Sequence, residues 1–336
     1  METKLIVTAS PHVHAPESTR NLMGNVVISL LPCVVASTII FGIRALVLTA
    51  VTTAACVGFE YLYCMLMKQK NPVGDLSAVV TGIILAMNLP ASLPLWMGIV
   101  GAFVAIVLVK QLFGGLGYNF ANPALVGRIV LFSGFATRMT NYLGVTPKGV
   151  SDALSSATPL QVAGSAPLGS LSGDALTEAV AKVSSLPLMD LVMGTHGGVM
   201  GETCALAIVI GFVYLVATKT ISPAIPVTYV LTVFVCFLLT GNGFGFALVE
   251  ILAGGLLFGA VFMATDYVTS PFTLKGKLVF GVFMGIMTFA IRYFGSLAEG
   301  VSYSILLANL IVPFINDLTA QVPLGYVKPK KKEAVK

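Results

Sequence analysis

Charged residues are scarce in this chain of 336 residues, since Asp, Glu, Lys and Arg together make up only 10% of it. Soluble domains average about 25% charged residues, so this chain cannot cover a water-soluble body of its own length with charge. Hydrophobic residues make up 57% of the sequence, and the mean hydropathy is +0.94. The composition excludes an ordinary soluble protein and indicates a polytopic membrane protein.

Cysteine and histidine are also rare. The five cysteines form no C-x-x-C pair and fall in or beside apolar segments, which argues against a cluster site made wholly by this chain and favours small buried side chains. His12 and His14 flank a single residue but have no third ligand nearby, so we predict a solvated leader and no metal site. The first twenty residues are polar, and we expect no cleavable signal peptide.

Long apolar segments fill most of the chain. A hydrocarbon core of about 30 Å needs roughly 20 apolar residues per crossing helix. Ten segments are predicted to span the membrane, at 23–42, 45–66, 76–90, 94–112, 122–137, 202–218, 222–240, 244–265, 278–294 and 301–316. The third and fifth are short and have Gly or Pro at their ends, so we expect tilted, broken or half-length helices there.

Basic residues predict the orientation, because cytoplasmic loops of membrane proteins carry an excess of Lys and Arg. With the N-terminus inside, thirteen basic residues, Lys110 among them, fall on the inner face and five, including Arg292, on the outer face. Arg128 lies within a span. Both termini are therefore expected in the cytoplasm, and the surplus positive charge requires no nucleic-acid partner.

These assignments divide the chain into five parts. We predict a cytoplasmic leader, a first membrane half of five spans, an outer loop, a second membrane half of five spans and a basic cytoplasmic tail, at 1–22, 23–137, 138–201, 202–318 and 319–336. The fold class expected from this division is an all-α polytopic membrane protein.

The two halves show traces of an inverted repeat. Leu112-Phe-Gly and Leu257-Phe-Gly are each followed by a polar-tipped segment, and similar runs beginning at Gly74 and Gly201 open spans from opposite faces. Inverted repeats of this kind are typical of transporters. The match is short and the spacings differ between the halves.

Four polar runs interrupt the apolar sequence, at 68–75, 114–123, 265–271 and 299–303. Glycines allow a ligand to approach the backbone closely, and non-helical backbone at membrane depth occurs only where protein or a cavity satisfies it. We therefore expect these runs to line a central site, with ordinary interfacial turns as the alternative. The glycines at 114–117 follow no strand, so they do not form a phosphate-binding fingerprint.

Two acidic residues, Glu60 and Glu250, fall inside predicted spans. An ionised carboxylate in hydrocarbon is costly, so an intramembrane acid is a functional hypothesis by default. We predict a possible ion path at Glu60 and Glu250, and the alternative is hydrogen bonding between helices. Further acids lie near the span ends, at Asp75, Glu202, Asp266 and Asp317.

Five runs of the sequence resemble the signature segments of a known family. They are Asn-Pro-Val-Gly-Asp at 71–75, Leu-Phe-Gly-Gly-Leu-Gly-Tyr-Asn-Phe-Ala-Asn-Pro-Ala at 112–124, Gly-Glu-Thr at 201–203, Ala-Thr-Asp-Tyr-Val-Thr-Ser-Pro at 264–271 and Gly-Val-Ser-Tyr at 300–303. They resemble the RnfD/NqrB family, the large membrane subunits of the Rnf complex and of the sodium-pumping NADH:quinone reductase. The resemblance covers nearly the whole chain, from about residue 21 to 318, and implies a urea-transporter-like fold of ten spans in inverted halves.

The resemblance also implies a covalent flavin. In this family FMN is joined through its phosphate to a threonine in a motif of the form D-x-x-(S/T)-G-A-T, and the outer loop matches it at Asp152, Ser155, Ala157 and Thr158. Ser156 stands where glycine is usual, a departure that bears on recognition by the flavin transferase. Thr158 is therefore the expected attachment site, with the flavin loop on the outer face.

The family's role would make this chain a subunit of a translocase that is not catalytic alone. It would accept electrons from a second covalent-FMN subunit and pass them inward, with a non-covalent riboflavin as an optional second carrier, coupled to Na⁺ or H⁺ movement. The implied partners are iron–sulfur and membrane subunits of an Rnf-type complex in the bacterial inner membrane. Only about twenty residues precede the first span, which favours the Rnf side, where the reaction links ferredoxin and NAD⁺.

Two other interpretations of the sequence remain. A channel or secondary transporter for a small solute would explain the spans, the symmetry and the Gly-rich runs, but it would leave the outer-loop segment from Asp152 to Thr158 unexplained. A purely structural scaffold protein would not account for polar runs at membrane depth. Flavin absorbance of the purified protein would separate the redox interpretation from both.

Overall fold

A computed structural model describes residues 18–69, 72–146, 149–155, 158–161, 168–170, 173–295 and 300–321. For residues 144–146 and 149–155 it describes the backbone alone. Most of the predicted leader, including His12 and His14, and most of the basic tail lie outside the described residues. Within the described ranges the chain is almost entirely helical.

The first half contains six helices. They are α1 (Thr19–Phe41), α2 (Ile43–Leu66), α3 (Ser77–Met87), α4 (Leu95–Phe103), α5 (Pro123–Gly134) and the single turn α6 (Ala136–Met139). A 3₁₀ turn, Val73–Asp75, precedes α3, and a π-helix, Val104–Gln111, continues α4 without a break.

The second half begins after the loop with α9. Its helices are α9 (Ala205–Ala217), α10 (Ala224–Leu239), α11 (Phe244–Leu252), α12 (Leu256–Phe258), α13 (Leu274–Phe294) and α14 (Val301–Thr319). A π-helix, Gly259–Met263, continues α12. Between α11 and α12 the axis bends by 61°.

Each of the ten predicted spans coincides with an apolar helix or with the bent pair. Four helices of the described chain, α1, α2, α13 and α14, are long and apolar enough to cross a bilayer, and the bent pair α11–α12 makes a fifth candidate. The remaining five are shorter, including α3 and α5, the two expected to be short. The chain is a polytopic membrane protein whose described apolar segments are all helical. The inverted relation of its halves stays a prediction.

Large apolar side chains face outward along these helices. Ile39 on α1 is 78% exposed, and Leu239 at the end of α10 is 81% exposed. Water would penalise such surfaces at about 25 cal/mol per Å², whereas lipid does not. The outward apolar faces therefore agree with burial of the helices in a membrane.

Local sequence chemistry sets several helix ends. The side chain of Asn122 accepts hydrogen bonds from the backbone N–H groups of Ala124 and Leu125, and Pro123 occupies the first turn of α5. Thr273 caps α13 by accepting from the N–H of Gly276. A capping oxygen satisfies N–H groups that have no partner within the helix, which matters more in a membrane than in water.

The two halves contact each other through their first helices. α1 packs on α9, and Gly211 of α9 lies directly against the backbone of Ser29 in α1. Small residues at helix crossings let backbones approach closely, and this packing substitutes for the hydrophobic effect that lipid does not provide. Within the second half, α10 packs along α13.

The segment between α6 and α9 lies over one end of the helices, which we call the loop face. It contains an antiparallel hairpin, β1 (Leu143–Thr146) and β2 (Gly149–Ser155), and the helices α7 (Asp174–Ser184) and α8 (Leu188–Met193). The hairpin lies beside α1, and α7 and α8 contact α11. The hairpin departs from the all-α expectation. The other end of the helices is called the opposite face.

Replacing Gly211 by alanine is expected to destabilise the fold. A Cβ there would collide with the Ser29 carbonyl oxygen and lie 2.9 Å from the Phe262 ring, and overpacking costs about 1–3 kcal/mol. The matched control is Gly58→Ala in α2, where a Cβ meets nothing within 4 Å. Thermal unfolding in detergent should show a lower midpoint for Gly211→Ala only, and equal midpoints for the two variants would contradict the packing.

Candidate functional site

The described part of the chain holds three buried ion pairs at membrane depth, each joining segments remote in sequence. They are Glu60 with Lys110, Arg128 with Glu202, and Glu250 with Arg292. All six residues are at least nine-tenths buried. Glu60 and Glu250 were predicted from the sequence, whereas their partners were not.

The first pair belongs to a group that we call the Glu60 cluster, formed by Glu60, Ser77, Lys110 and Gln111. Lys110 Nζ lies 2.6 Å from Glu60 Oε1 and donates to Ser77 Oγ at 2.6 Å. Gln111 Nε2 donates to the same Glu60 oxygen at 2.7 Å. The other carboxylate oxygen, Oε2, is buried and has no hydrogen-bond partner among the described residues.

The π-helix explains how two consecutive residues reach one carboxylate. Leu112 donates its N–H to the carbonyl of Val107, five residues back, so each turn holds more residues than in an α-helix. Consecutive side chains are then separated by a smaller angle, and Lys110 and Gln111 both point at Glu60. Such π-helical turns occur frequently at functional sites.

Lys110 was counted among the charges of the inner face, but the structure places it inside the fold and not in a loop. Its side chain is 2% exposed and paired within the fold. Arg292 was likewise counted as an outer-face charge but is buried at 6% exposure. Both residues lie at the ends of apolar runs, where sequence alone does not separate a buried charge from an interfacial one.

Arg128 forms the centre of a second group, the central cluster, with Asn88, Glu202 and Ser302. Its guanidinium donates to Asn88 Oδ1 at 3.0 Å, to Ser302 Oγ at 3.0 Å and to Glu202 Oε1 at 3.2 Å. These partners come from the end of α3, the start of α14 and the turn before α9. One side chain therefore connects segments of both halves at the positions where their helices begin or end.

A backbone contact reinforces the central cluster. Gly201 donates its N–H to the carbonyl of Met87 at 2.7 Å, and Met200 donates to Leu89 at 3.3 Å. The absence of a side chain at Gly201 is required, because a Cβ would lie 2.8 Å from that of Met87. The signature run at 201–203 thus packs against the end of the half-length helix α3.

Arg292 occupies the break between α11 and α12. Its Nη1 donates to the backbone carbonyl of Glu250 at 2.5 Å and to the Glu250 carboxylate at 3.3 Å, while Nη2 donates to the carbonyl of Ala253 at 3.4 Å. A cation at the C-terminal end of a helix satisfies carbonyl groups and the helix dipole. The Glu250 pair is therefore separate from the Glu60 cluster, and the two share no residue.

Two of the polar runs meet at the opposite face, around a cavity between α1, α3 and α9. Its polar lining comprises Ser77, Thr81, Lys110, Asn119, Asn122, Thr265, Asp266 and Tyr267, and its apolar lining includes Ile84, Leu215 and Phe262. Asn119 donates to Asp266 at 3.3 Å, which joins the runs at 114–123 and 265–271. The expectation that these runs line a common site is confirmed for them.

The remaining two runs are only partly described. Asp75 accepts from the backbone N–H and the hydroxyl of Ser77, so the run at 68–75 reaches the cavity through Ser77. Ser302 of the run at 299–303 belongs to the central cluster instead. Residues 70–71 and 296–299 lie outside the described residues.

The predicted attachment motif lies on the loop face. Asp152 and Ser155 belong to strand β2, of which the structure describes only the backbone, and Ser156 and Ala157 lie outside the described residues. Thr158 is half-buried and precedes the 3₁₀ turn Pro159–Gln161, in which Pro159 is buried.

Two titratable groups of the loop have shifted pKa values. A hydrogen bond and ion pair from Lys182, 2.8 Å away, lower the pKa of the exposed Glu178 carboxyl. Burial lowers the pKa of His196 below its usual value, against a weaker opposing effect of the Asp190 backbone carbonyl. Burial therefore favours the neutral form of the His196 side chain.

Removing one partner of the Arg128–Glu202 pair is expected to destabilise the protein strongly. Arg128→Met leaves the Glu202 charge buried and unpaired, which costs about 3–5 kcal/mol. The double variant Arg128→Met/Glu202→Gln should recover part of that loss, and Arg138→Met, at an exposed arginine just beyond α5, should change little. Thermal unfolding of the wild type, both single variants Arg128→Met and Glu202→Gln, the double variant and the Arg138→Met control tests this, and additive effects of the two single changes would contradict the coupling.

Comparison with known proteins places this architecture in a family. Residues 6–325 match the model of the NQR2, RnfD, RnfE family. The chain is 40% identical over 334 residues to the D subunit of the Na(+)-translocating ferredoxin:NAD(+) oxidoreductase complex of Acetobacterium woodii, covering 98% of both chains. It is 36% identical to the D subunit of the Proton-translocating ferredoxin:NAD(+) oxidoreductase complex of Clostridium ljungdahlii, covering 95% of this chain and 96% of the relative. The chain belongs to the NQR2, RnfD, RnfE family.

Proposed function

We propose that this chain is the D subunit of an ion-translocating ferredoxin:NAD⁺ oxidoreductase complex and carries covalent FMN at Thr158. The observation that carries the proposal is the similarity to the D subunit of such a complex over 98% of both chains. The proposed location is the bacterial inner membrane, with both termini cytoplasmic and the loop face outside. The partners would be a second covalent-FMN subunit, iron–sulfur and membrane subunits, and a flavin transferase.

The chemistry of Thr158 fits a phosphoester. Its side chain is a secondary alcohol on a half-buried residue, so part of it is accessible to a transferase. The next residues anchor the chain, since Pro159 is buried and Leu160 packs against the apolar core of the membrane domain. A group joined to Thr158 would thus be held close to the loop face, because the residues that follow Thr158 are packed against the membrane domain.

Aromatic side chains offer a surface for a flat ring at the same face. Gly169, eleven residues after Thr158, lies against the rings of Phe294 and Tyr293 at the end of α13. Phe294 is 64% exposed, and Tyr293 stacks on Phe289 with ring centroids 5.3 Å apart. Aromatic faces stack favourably on other π-systems, so these residues suit an isoalloxazine ring.

The described side chains include no group that performs one-electron chemistry, and FMN, when bound, supplies it. The chain's own residues provide the hydroxyl of Thr158 as an anchor, aromatic surface for orientation and a packed apolar body that excludes water. The electron donor and acceptor are the neighbouring subunits of the complex.

Ion movement is assigned to the Glu60 cluster. Lys110 and Ser77 line the opposite-face cavity and also contact each other within the cluster, so the cavity gives polar access from that face to Glu60. The unpaired Oε2 of Glu60 leaves a carboxylate oxygen available to a cation or a proton. Relatives named for Na⁺ and for proton translocation are both similar to this chain, and either ion is compatible with a carboxylate.

A non-covalent riboflavin does not fit this cavity in the conformation described. The free interior is about 90 Å³, which accommodates a few water molecules and not a three-ring isoalloxazine. This cavity is therefore not proposed as the site of a second flavin. The size and polarity of the cavity suit hydrated ions better.

Covalent flavin should disappear from the chain when Thr158 is replaced by alanine. After co-expression with a flavin transferase, a denaturing gel removes non-covalent flavin, so that only a covalent adduct fluoresces. We expect a fluorescent wild-type band and a dark Thr158→Ala band. Thr177→Ala, at an exposed threonine of the same loop, should remain fluorescent.

Other outcomes of the gel are equally informative. Fluorescence in Thr158→Ala would move the attachment to another residue. A dark wild-type band, beside a control substrate that the transferase does label, would contradict the redox proposal and support a channel or secondary transporter without redox chemistry.

Glu60→Gln should lower ion translocation by the complex more than tenfold, because an amide carries no negative charge to attract a cation and does not release a proton at neutral pH. Ion uptake by proteoliposomes containing the whole complex, driven by reduced ferredoxin and NAD⁺, measures this. Glu250→Gln should mainly lower thermal stability, since Arg292 holds the break after α11. Uncoupling by Glu250→Gln alone would move the ion path to the second half.

A further inference from the structure

A second pocket at the opposite face has an unusual electrostatic character. It lies between the turn joining α9 to α10 and the run at 265–271, and its polar lining comprises Lys219, Thr220, Ser222, Thr265, Tyr267, Ser270 and Lys277. Two lysines and five hydroxyls line it, and no carboxylate does among the described residues. Neither lysine forms an ion pair with a described residue.

The lysines stand in contrast to the three buried cations of the described membrane domain. Lys110, Arg128 and Arg292 are buried and each has a carboxylate partner within 3.3 Å. Lys219 is exposed and Lys277 is half-buried. The positive charge of both side chains can therefore interact with a ligand in the pocket or with water at its opening. Lysine binds phosphate as a point charge without a fixed geometry.

Ser270 adds a hydroxyl to the polar lining of the pocket. The residue is only 8% exposed and lines the pocket. Its hydroxyl can donate a hydrogen bond to an acceptor-rich group held there.

The start of α10 adds donor groups and positive potential to the same pocket. Ser222, Pro223 and Ile225 line it, and α10 begins at Ala224 without a strong side-chain cap, since Ser222 accepts from the Ala224 N–H at a long 3.4 Å. The first N–H groups of a helix carry a partial positive charge. They therefore complement the lysines in attracting an anion.

We infer that this pocket binds a phosphate group, carried by an acidic phospholipid or by a soluble phosphate compound. It lies where the membrane helices end, and basic pockets between membrane helices at this level bind phospholipid head groups. Exposed apolar residues beside it, Phe272 and Leu274, would contact the acyl chains of a lipid. The inference is independent of the flavin and of the ion path.

The test is native mass spectrometry of the full-length chain in mild detergent with phosphatidylglycerol or phosphatidylcholine. We expect preferential retention of phosphatidylglycerol by the wild type and about a tenfold loss in Lys219→Ala/Lys277→Ala. The double Lys→Arg variant should retain binding, which separates loss of charge from misfolding. Lys275→Ala, at an exposed lysine on the same turn of α13 but outside the pocket lining, should bind like the wild type.

A second arm identifies the source of the phosphate. If phosphatidylglycerol shows no preference, inorganic phosphate should raise the thermal midpoint of the wild type and not that of Lys219→Ala/Lys277→Ala, which would assign the site to a soluble phosphate compound. Failure of both probes to distinguish the wild type from the double alanine variant would overturn the inference. An equal loss in Lys275→Ala would also overturn it, because it would reduce the effect to general surface charge.

Discussion

The pairing of the six charged residues buried between the described helices is the constraint on which this structure depends. Moving an unpaired ion into a medium of low dielectric costs several kcal/mol even after relaxation, and the lipid around the helices supplies no water to reduce that penalty. The chain meets the constraint with three ion pairs, each between segments remote in sequence. Because each pair needs both partners in place, the pairs also determine which helices must be neighbours.

The same constraint governs the places where helices stop inside the membrane. α3 ends at Met87 and α11 ends at Leu252, and both leave carbonyl groups without partners in their own helix. At the first break, Arg128 binds Asn88 while Gly201 donates to Met87. At the second, Arg292 binds the carbonyls of Glu250 and Ala253. An arginine from another helix therefore supports each interrupted helix.

The helices could be predicted well from the sequence because apolar length is a local property. The ten segments, including the short α3 and α5, follow from runs of residues and from Gly and Pro at their ends. The partners of Glu60 and Glu250 could not be predicted, because Lys110 and Arg292 lie 50 and 42 residues away, and nothing in a single sequence shows which distant residues meet.

The hairpin was also missed, since its strands lie in a polar, Gly-rich loop without clear alternation of polar and apolar residues. Cofactor attachment at Thr158 depends on a motif and stays a prediction.

The central cluster limits how the two halves can move relative to each other. Thr158 lies on the loop face, whereas the cavity leading to Glu60 opens on the opposite face, so electrons and ions would act at different ends of the bundle. Separating the end of α3 from the turn before α9 must break the Gly201–Met87 backbone bond and detach Arg128 from Asn88 or Glu202. Each of these groups would then be unpaired in an environment without water, at a cost of several kcal/mol. The halves therefore shift as one body unless the central cluster exchanges its partners as it opens. Coupling of electron transfer at the loop face to ion movement at the opposite face would then require one of two kinds of motion. Either the halves rearrange while Arg128 stays paired throughout, or the motion is confined to α2, α4 and the Glu60 cluster.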